Sequence, residues 1–216
     1  MCELTRKLAI WAAPAVLALG LAGVTGASAA TVRNRPAVST AQAAASSTDD
    51  YIDPGPYQRR LDPLVGTWKA VKYNYILGGD GTPVVSHDIT VKTRWITKTG
   101  GRFLQEQTEG TLAGKPYYRL GVLGFSNVDR RYEWTTFDSV TPTAMTYRGA
   151  PVSGFPSVLS IPGTFTDPGL LGPAGRTIAM RTVITLKGHP AFDLYFTEPG
   201  QAERLVDRVV YTHRIR

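Results

Sequence analysis

The stretch Leu64-Val65-Gly66-Thr67-Trp68 opens a series of strand-like segments that continues to the end of the chain. From Trp68 onward, segments rich in Val, Ile, Thr, Tyr, Phe and Trp recur at short intervals, and each ends at Gly, Pro, Asn or Asp. β-branched and aromatic residues bounded by such turn residues are typical of strands. The predicted strands cover residues 67–76, 84–97, 103–109, 117–125, 132–138, 144–149, 158–166, 176–187, 192–197 and 204–213.

The links between these segments are mostly short turns. Gly78-Gly79-Asp80-Gly81 and Ala113-Gly114-Lys115 have hairpin length and contain residues that tolerate a positive φ angle. Strands joined in this way form a meander, and the open edges of such a sheet would pair with other chains. Closure removes those edges. We therefore predict an all-β fold, a single up-and-down antiparallel barrel of about ten strands, with a short capping helix over residues 57–64.

The N-terminal segment has the pattern of a secretory signal peptide. Two basic residues precede an apolar run over residues 8–21, and Ala27 and Ala29 then stand at the small-residue spacing of a cleavage site. A membrane-spanning helix would need about 20 apolar residues. We predict that residues 1–29 are removed, with cleavage after Ala30 as the alternative. The protein is then secreted or periplasmic and keeps no stable membrane anchor.

The rest of the chain divides into a linker and one domain. Residues 30–55 are rich in Ala, Ser and Thr and lack periodic apolar positions, so we expect a disordered linker. Residues 56–216 form a segment of about 160 residues, the usual size of one domain, and we assign them to the barrel. The only cysteine, Cys2, lies in the predicted signal peptide. Without disulfides, the fold must depend on its apolar core.

The charge of the chain is basic but diffuse. The sequence carries 24 Lys and Arg against 17 Asp and Glu, a formal net charge of +7. The basic residues alternate with Thr, Tyr and Glu along the strands and form no cluster typical of a nucleic-acid groove. We expect no nucleic-acid partner.

Several motifs, in this order along the chain, resemble those of one bacterial family. They are Leu64-Val65-Gly66-Thr67-Trp68, Gly101-Arg102-Phe103-Leu104-Gln105-Glu106, Gly121-Val122-Leu123-Gly124-Phe125-Ser126-Asn127 and Val210-Tyr211-Thr212-His213-Arg214. Together they resemble the domain of unknown function 1579 family. The resemblance implies a calycin- or lipocalin-like β-barrel and supplies no agreed activity. The family tends to carry a Trp at the position of Thr136, whereas in this chain the nearby tryptophan is Trp134.

The first strand and the last strand are predicted to make a structural contact. Gly66 lets the chain turn sharply into the first strand, and Trp68 can plug one end of the barrel. An arginine of the last strand, Arg214 or Arg208, can stack on the indole ring, a contact worth about 0.5 to 2 kcal/mol. We assign structural roles to Gly66, Trp68 and Arg214.

No residue pattern forms a strong catalytic signature. The chain has no Gly-x-Ser-x-Gly motif, and its three histidines, His87, His189 and His213, show no metal-ligand spacing. Glu106 and Glu109 fall on opposite faces of one strand, which does not suit paired acid and base. We predict no catalytic residues, no metal and no cofactor, and we favour a non-enzymatic role.

The predicted barrel can enclose one small ligand, since barrels of this strand number leave room inside. The leading hypothesis is a small apolar or amphipathic ligand contacted by inward aromatic residues, and the predicted ligand-binding residues are Trp95, Trp134, Tyr132, Phe192 and Phe196. The main alternative is a ligand-free structural or interaction module. Two lesser alternatives are a haem-binding barrel, for which His213 is the candidate ligand, and a small lyase or isomerase run by inward polar groups.

Overall fold

Ten antiparallel strands form a closed barrel in the computed structural model, which describes residues 51–215. The strands are β1 (Gly66–Asn74), β2 (Val84–Trp95), β3 (Phe103–Leu112), β4 (Lys115–Ser126), β5 (Arg131–Asp138), β6 (Met145–Arg148), β7 (Val158–Thr166), β8 (Thr177–Thr185), β9 (Ala191–Thr197) and β10 (Arg204–Ile215). Each overlaps a predicted strand, so the all-β barrel is confirmed. The predicted signal peptide and residues 30–50 of the predicted linker lie outside the described residues.

The strand order is a meander that closes on itself. Each strand pairs with its neighbours in sequence, and β1 pairs with β10, so that Trp68 lies opposite Arg214. Side chains alternate between the two faces of the wall, as in any strand. In β4, for example, Tyr117 and Arg119 are buried inside while Tyr118 is exposed outside. Closure leaves no unpaired sheet edge among the described strands.

A short helical segment closes one end of the barrel, as predicted. Helix α1 (Pro56–Arg59) is followed by a 3₁₀ turn, Asp62–Leu64. Gln58 of α1 is fully buried, and its side chain donates hydrogen bonds to Phe125 O (3.2 Å) and Asn127 Oδ1 (2.9 Å). The ring of Tyr57 stacks on Phe125 at a centroid distance of 4.5 Å. This packing fixes the segment across the ends of the strands.

A second helical turn, α2 (Tyr75–Gly78), stands at the opposite end of the barrel and was not predicted. We expected β1 to run through residue 76, because Tyr75 and Ile76 favour strands. β1 instead ends at Asn74, whose Oδ1 accepts a hydrogen bond from the backbone N–H of Leu77 (2.9 Å) and so begins the turn. Among the described residues, no helix has the length and apolar character needed to span a membrane.

Three irregularities in strand pairing change which side chains face inward. Between β10 and β9, Leu205 pairs with Tyr195 but Asp207 pairs with Leu194, which leaves Val206 as the extra residue. Between β1 and β2, Ala70 pairs with Ile89 but Lys72 pairs with Ser86, so β2 carries one extra residue there. Between β1 and β10, Lys69 pairs with His213 but Ala70 pairs with Tyr211, which leaves Thr212 as the extra residue. Each bulge shifts the alternation of faces by one position.

The predicted contact between the first and last strands has a defined geometry. The guanidinium carbon of Arg214 lies 5.5 Å from the centroid of the Trp68 ring, and Trp68 Nε1 donates to Leu64 O at 3.1 Å. Gly66 has a φ angle of +128°, and a Cβ atom there would lie 2.5 Å from Arg214 Nε. Only a residue without a side chain leaves room for the arginine at this position. Arg208, the alternative partner, pairs with Asp193 instead.

Candidate functional site

The barrel contains a cavity of about 400 Å³ that opens at the end opposite α1. Residues at its mouth come from α2, from the β3–β4 hairpin, and from the loops after β5 and β7. Most of the lining is apolar, and it includes Leu112, Met145, Tyr147, Phe192, Leu194 and Phe196. The half of the barrel next to α1 is filled by buried side chains such as Leu104, Leu123 and Ile184. The interior is therefore partly filled and partly open.

Aromatic rings form a continuous wall on one side of the cavity. Trp134 stacks on Tyr147 and packs against Phe192, each at a centroid distance of 5.3 Å. Phe192 in turn stacks on Tyr211 at 5.7 Å. Gly121 permits this arrangement, because a Cβ atom at that position would lie 2.7 Å from Trp134 Nε1. The wall offers flat apolar surface to a bound molecule.

Four charged side chains form two ion pairs in the interior, and we call them the polar network: Lys72, Asp207, Arg119 and Glu106. Lys72 Nζ donates to both carboxylate oxygens of Asp207 at 2.6 Å. Arg119 donates to Glu106 Oε1 from Nη2 (2.7 Å) and from Nε (3.1 Å). The side chains of both pairs are at most 10% exposed. Since burying an unpaired charge is costly, the pairing is what allows them to lie inside.

The neighbours of the polar network complete its contacts. Asn74 Nδ2 donates to Asp207 Oδ1 (3.1 Å), and the Tyr211 hydroxyl donates to Glu106 Oε2 (3.3 Å). The guanidinium of Arg119 lies 5.3 Å from the centroid of the Trp134 ring, and Lys72 Nζ lies 4.7 Å from that of Tyr117. These cation–π contacts join the charged side chains to the aromatic lining.

The ionisation of the interior groups favours hydrogen-bond donation. Burial alone would lower the pKa of Lys72, but the adjacent Asp207 carboxylate outweighs it and the pKa is raised. Burial raises the pKa of Tyr117 and Tyr147, in both cases against the lowering effect of nearby cations. Lys72 therefore stays protonated and the two tyrosines stay neutral at physiological pH. They serve as donors rather than as bases or nucleophiles.

Two buried polar atoms of cavity-lining residues make no hydrogen bond to any described residue. They are Trp134 Nε1 and Thr136 Oγ1, which belong to neighbouring inward positions of β5. Leaving a buried donor or acceptor unpaired costs about 1 to 3 kcal/mol. Neither atom has surface open to the empty cavity, and Trp134 Nε1 lies against Gly121 of β4, so both belong to the packed wall rather than to the surface that a ligand would touch.

The five predicted ligand-binding residues fall into two groups. Trp134, Phe192 and Phe196 line the cavity. Trp95 and Tyr132 lie at the closed end instead, where Trp95 Nε1 donates to Asp62 Oδ1 (2.9 Å) and the Tyr132 hydroxyl donates to Tyr57 O (2.9 Å). A ligand role for the first three remains a prediction, and the other two serve as packing for the capping segment.

The histidines do not contribute to the cavity. His87, His189 and His213 are all exposed. The bulge at Thr212 turns His213 to the same outer face as Lys69, although its spacing from Tyr211 would place it inside a regular strand. This orientation removes the one candidate for ligating haem iron from the interior. Within residues 51–215, no group of three or more His, Cys, Asp or Glu side chains could hold a metal ion.

The polar network was not predicted from the sequence. Its members do occupy inward positions: Lys72 follows Trp68 and Ala70 on one face of β1, and Arg119 follows Tyr117 on one face of β4. The available signal was a charged residue at an apolar period-two position. Opposite charges on two such faces, Lys72 and Asp207 for example, indicate an internal ion pair.

The fold and the site define a class: a closed ten-stranded antiparallel barrel with an apolar, aromatic-walled cavity and a buried, charge-paired network. The model of the family described as proteins of unknown function (DUF1579) matches residues 53–212. The chain belongs to that family, as its motifs suggested. No curated protein matches the sequence significantly.

Proposed function

We propose that the protein binds a small apolar or amphipathic molecule inside its barrel. The observation that carries this proposal is the cavity of about 400 Å³, open at one end and lined mainly by apolar and aromatic side chains. Its volume lies within the range of small-molecule sites, about 300 to 1,000 Å³. A few polar groups in an otherwise apolar lining are the usual means of orienting a ligand.

The ionisable groups of the interior favour ligand binding over catalysis. The polar network is held in closed pairs, and its lysine and neighbouring tyrosines keep their protons. A catalytic base or an activated nucleophile needs a pKa moved toward the working pH, whereas these pKa values move away from it. The network therefore supports recognition of a ligand.

The proposal is tested with N-phenyl-1-naphthylamine, an uncharged amphipathic dye whose emission rises in apolar surroundings. We expect saturable binding to the purified barrel with one site per chain. Leu194→Trp fills the cavity, because Leu194 lines it, and should abolish the binding. The control is Tyr195→Trp, the next residue of β9, whose ring lies outside under Arg181 at 4.5 Å. No binding by the wild type, or equal binding by both variants, would contradict the proposal.

Export of the protein is a second part of the proposal. It is supported by the sequence alone: the basic start, the apolar run over residues 8–21 and the small residues up to Ala29. An exported barrel would meet its ligand outside the cytoplasm, which fits a role as a carrier or sensor.

A further inference from the structure

We infer that the bound molecule carries an uncharged head with an oxygen acceptor, such as an amide, ester or ketone, and that this head contacts the polar network. The inference rests on the proposed function, because it names the chemistry of the ligand in the same cavity. Three observations carry it: the charge balance of the network, its surplus of donors, and the carboxylate of Asp138 on the cavity wall.

The polar network carries no net charge. Lys72 is matched by Asp207 at 2.6 Å, and Arg119 is matched by Glu106 at 2.7 Å. A ligand carboxylate placed against these pairs would add an unmatched negative charge in a poorly solvated site. The interior penalises such a charge strongly unless a counter-charge is free to meet it. Both cations of the network are already engaged, and Lys115, the other cation of the lining, is exposed at the mouth of the cavity rather than beside the network. An uncharged head therefore avoids this penalty.

The same network has more donors than acceptors. Arg119 has five N–H groups, and its hydrogen bonds to described residues use only Nε and Nη2, both directed at Glu106 Oε1. Arg119 lines the cavity, and its Nη1 donates to no described residue. Arg119 and Trp134 lie against each other, with 5.3 Å between the guanidinium carbon and the ring centroid. A carbonyl oxygen, with two lone pairs, supplies what this side of the cavity lacks.

Asp138 adds a second reason against an anionic head. It follows Trp134 and Thr136 on the inner face of β5 and lines the cavity. Its Oδ1 accepts backbone N–H groups from Val140 (2.9 Å) and Thr141 (2.6 Å), and no described cationic side chain forms a salt bridge with it. The carboxylate therefore repels a second anion in the cavity and leaves a neutral head unaffected. It would attract a cationic head, but an ammonium group brings only donors to a network that already has more donors than acceptors.

The test compares three ligands that have the same kind of alkyl chain and differ in the charge of the head group. Decanamide, decanoate and decylammonium are titrated against the complex of wild-type protein with N-phenyl-1-naphthylamine at neutral pH, and the competition constants are measured. We expect decanamide to compete at least about tenfold better than either charged relative, a difference equal to about 1.4 kcal/mol. Because the proton-bound acid is the uncharged form, decanoate should also compete better as the pH falls from about 8 to about 5, while decanamide should not change.

The outcomes separate this inference from the proposed function. A dye that fails to bind refutes both. If the dye binds but decanoate or decylammonium competes as well as decanamide, or if no member of the series competes, the head-group inference is wrong and the proposed function stands.

A variant tests whether the charge balance of the polar network causes the preference for an uncharged head. Glu106→Gln leaves the network with one excess positive charge, so the preference for decanamide over decanoate should shrink about tenfold or more. The matched control is Glu133→Gln on the outer face of β5, where Glu133 pairs with Arg131 at 2.7 Å and the preference should not change. An unchanged preference in folded Glu106→Gln would overturn the inference. Should that variant not fold, the wild-type series decides alone.

Discussion

Replacing Asp207 by Asn is predicted to destabilise the barrel strongly, because it leaves Lys72 buried without a counter-charge. The side chain of Lys72 is 3% exposed and that of Asp207 is 10% exposed. Removing one partner of such a pair costs about 3 to 5 kcal/mol. Asn keeps one oxygen that can accept from Lys72, so we expect a loss near 3 kcal/mol, the lower end of that range. Guanidinium unfolding followed by circular dichroism measures it.

An exposed pair of similar geometry provides the control. Arg181 donates to Glu203 at 2.9 and 2.6 Å, but their side chains are 32% and 38% exposed. We expect Glu203→Gln to cost about 0 to 1 kcal/mol. The double variant Lys72→Met/Asp207→Leu removes both buried charges and should recover much of the stability. We attribute the larger loss at the internal pair to burial, since the two pairs have similar distances. Equal losses in the free energy of unfolding for Asp207→Asn and Glu203→Gln would refute this.

The pH dependence of the same variant gives a second readout. In the wild type the pKa of Lys72 is raised, so its contribution is fully present below the unfolded pKa, about 10.4, and is lost as the pH rises through the folded value. Without Asp207, burial lowers the pKa of Lys72, and the unfolded state then binds more protons. The variant therefore gains stability as the pH rises. The stability gap between variant and wild type should narrow between about pH 8 and pH 10.

Three further predictions concern the closed end and the N-terminus. Because Trp68 is only partly buried, Trp68→Ala should lower the free energy of unfolding by about 3 kcal/mol, the lower end of the range for a core aromatic; an unchanged melting temperature would contradict the structural role of this residue. Gly66→Ala should cost about 1 to 3 kcal/mol, because its Cβ would lie 2.5 Å from Arg214 Nε at a φ of +128°; a loss below that range would show that the arginine moves freely. The exported protein should begin at Ala30 or Thr31 by intact mass, and export with Met1 retained in a membrane fraction would refute the signal peptide.

The strand order was predictable because its causes are local. Each strand is a run of β-branched and aromatic residues, and each hairpin has its own turn residues, such as Ala113-Gly114 between β3 and β4. Alternation along a strand also gave the inward face of β5, including Tyr132 and Trp134. Alternation does not show where along the barrel axis an inward residue lies. Tyr132 and Trp134 share a face, yet one packs under the capping segment and the other lines the cavity.

Two other features depend on information that no single strand carries. The bulge at Thr212, which turns His213 outward, is defined only by the register of β10 against β1. The pair of Lys72 and Asp207 joins residues 135 positions apart. Since the partner of a buried charge lies on another strand, the residue alone indicates an unusual interior position and nothing more. These long-range pairings decide the polar side of the cavity.

Trp134 can report directly on whether the cavity holds a small ligand. In protein produced without residues 1–29, Trp68→Phe/Trp95→Phe leaves Trp134, which lines the cavity, as the only tryptophan. We expect N-phenyl-1-naphthylamine to quench Trp134 emission saturably by energy transfer, and decanamide to restore the emission by displacing the dye. Dye fluorescence that rises while Trp134 emission stays constant would place the dye outside the cavity and refute the proposed ligand site.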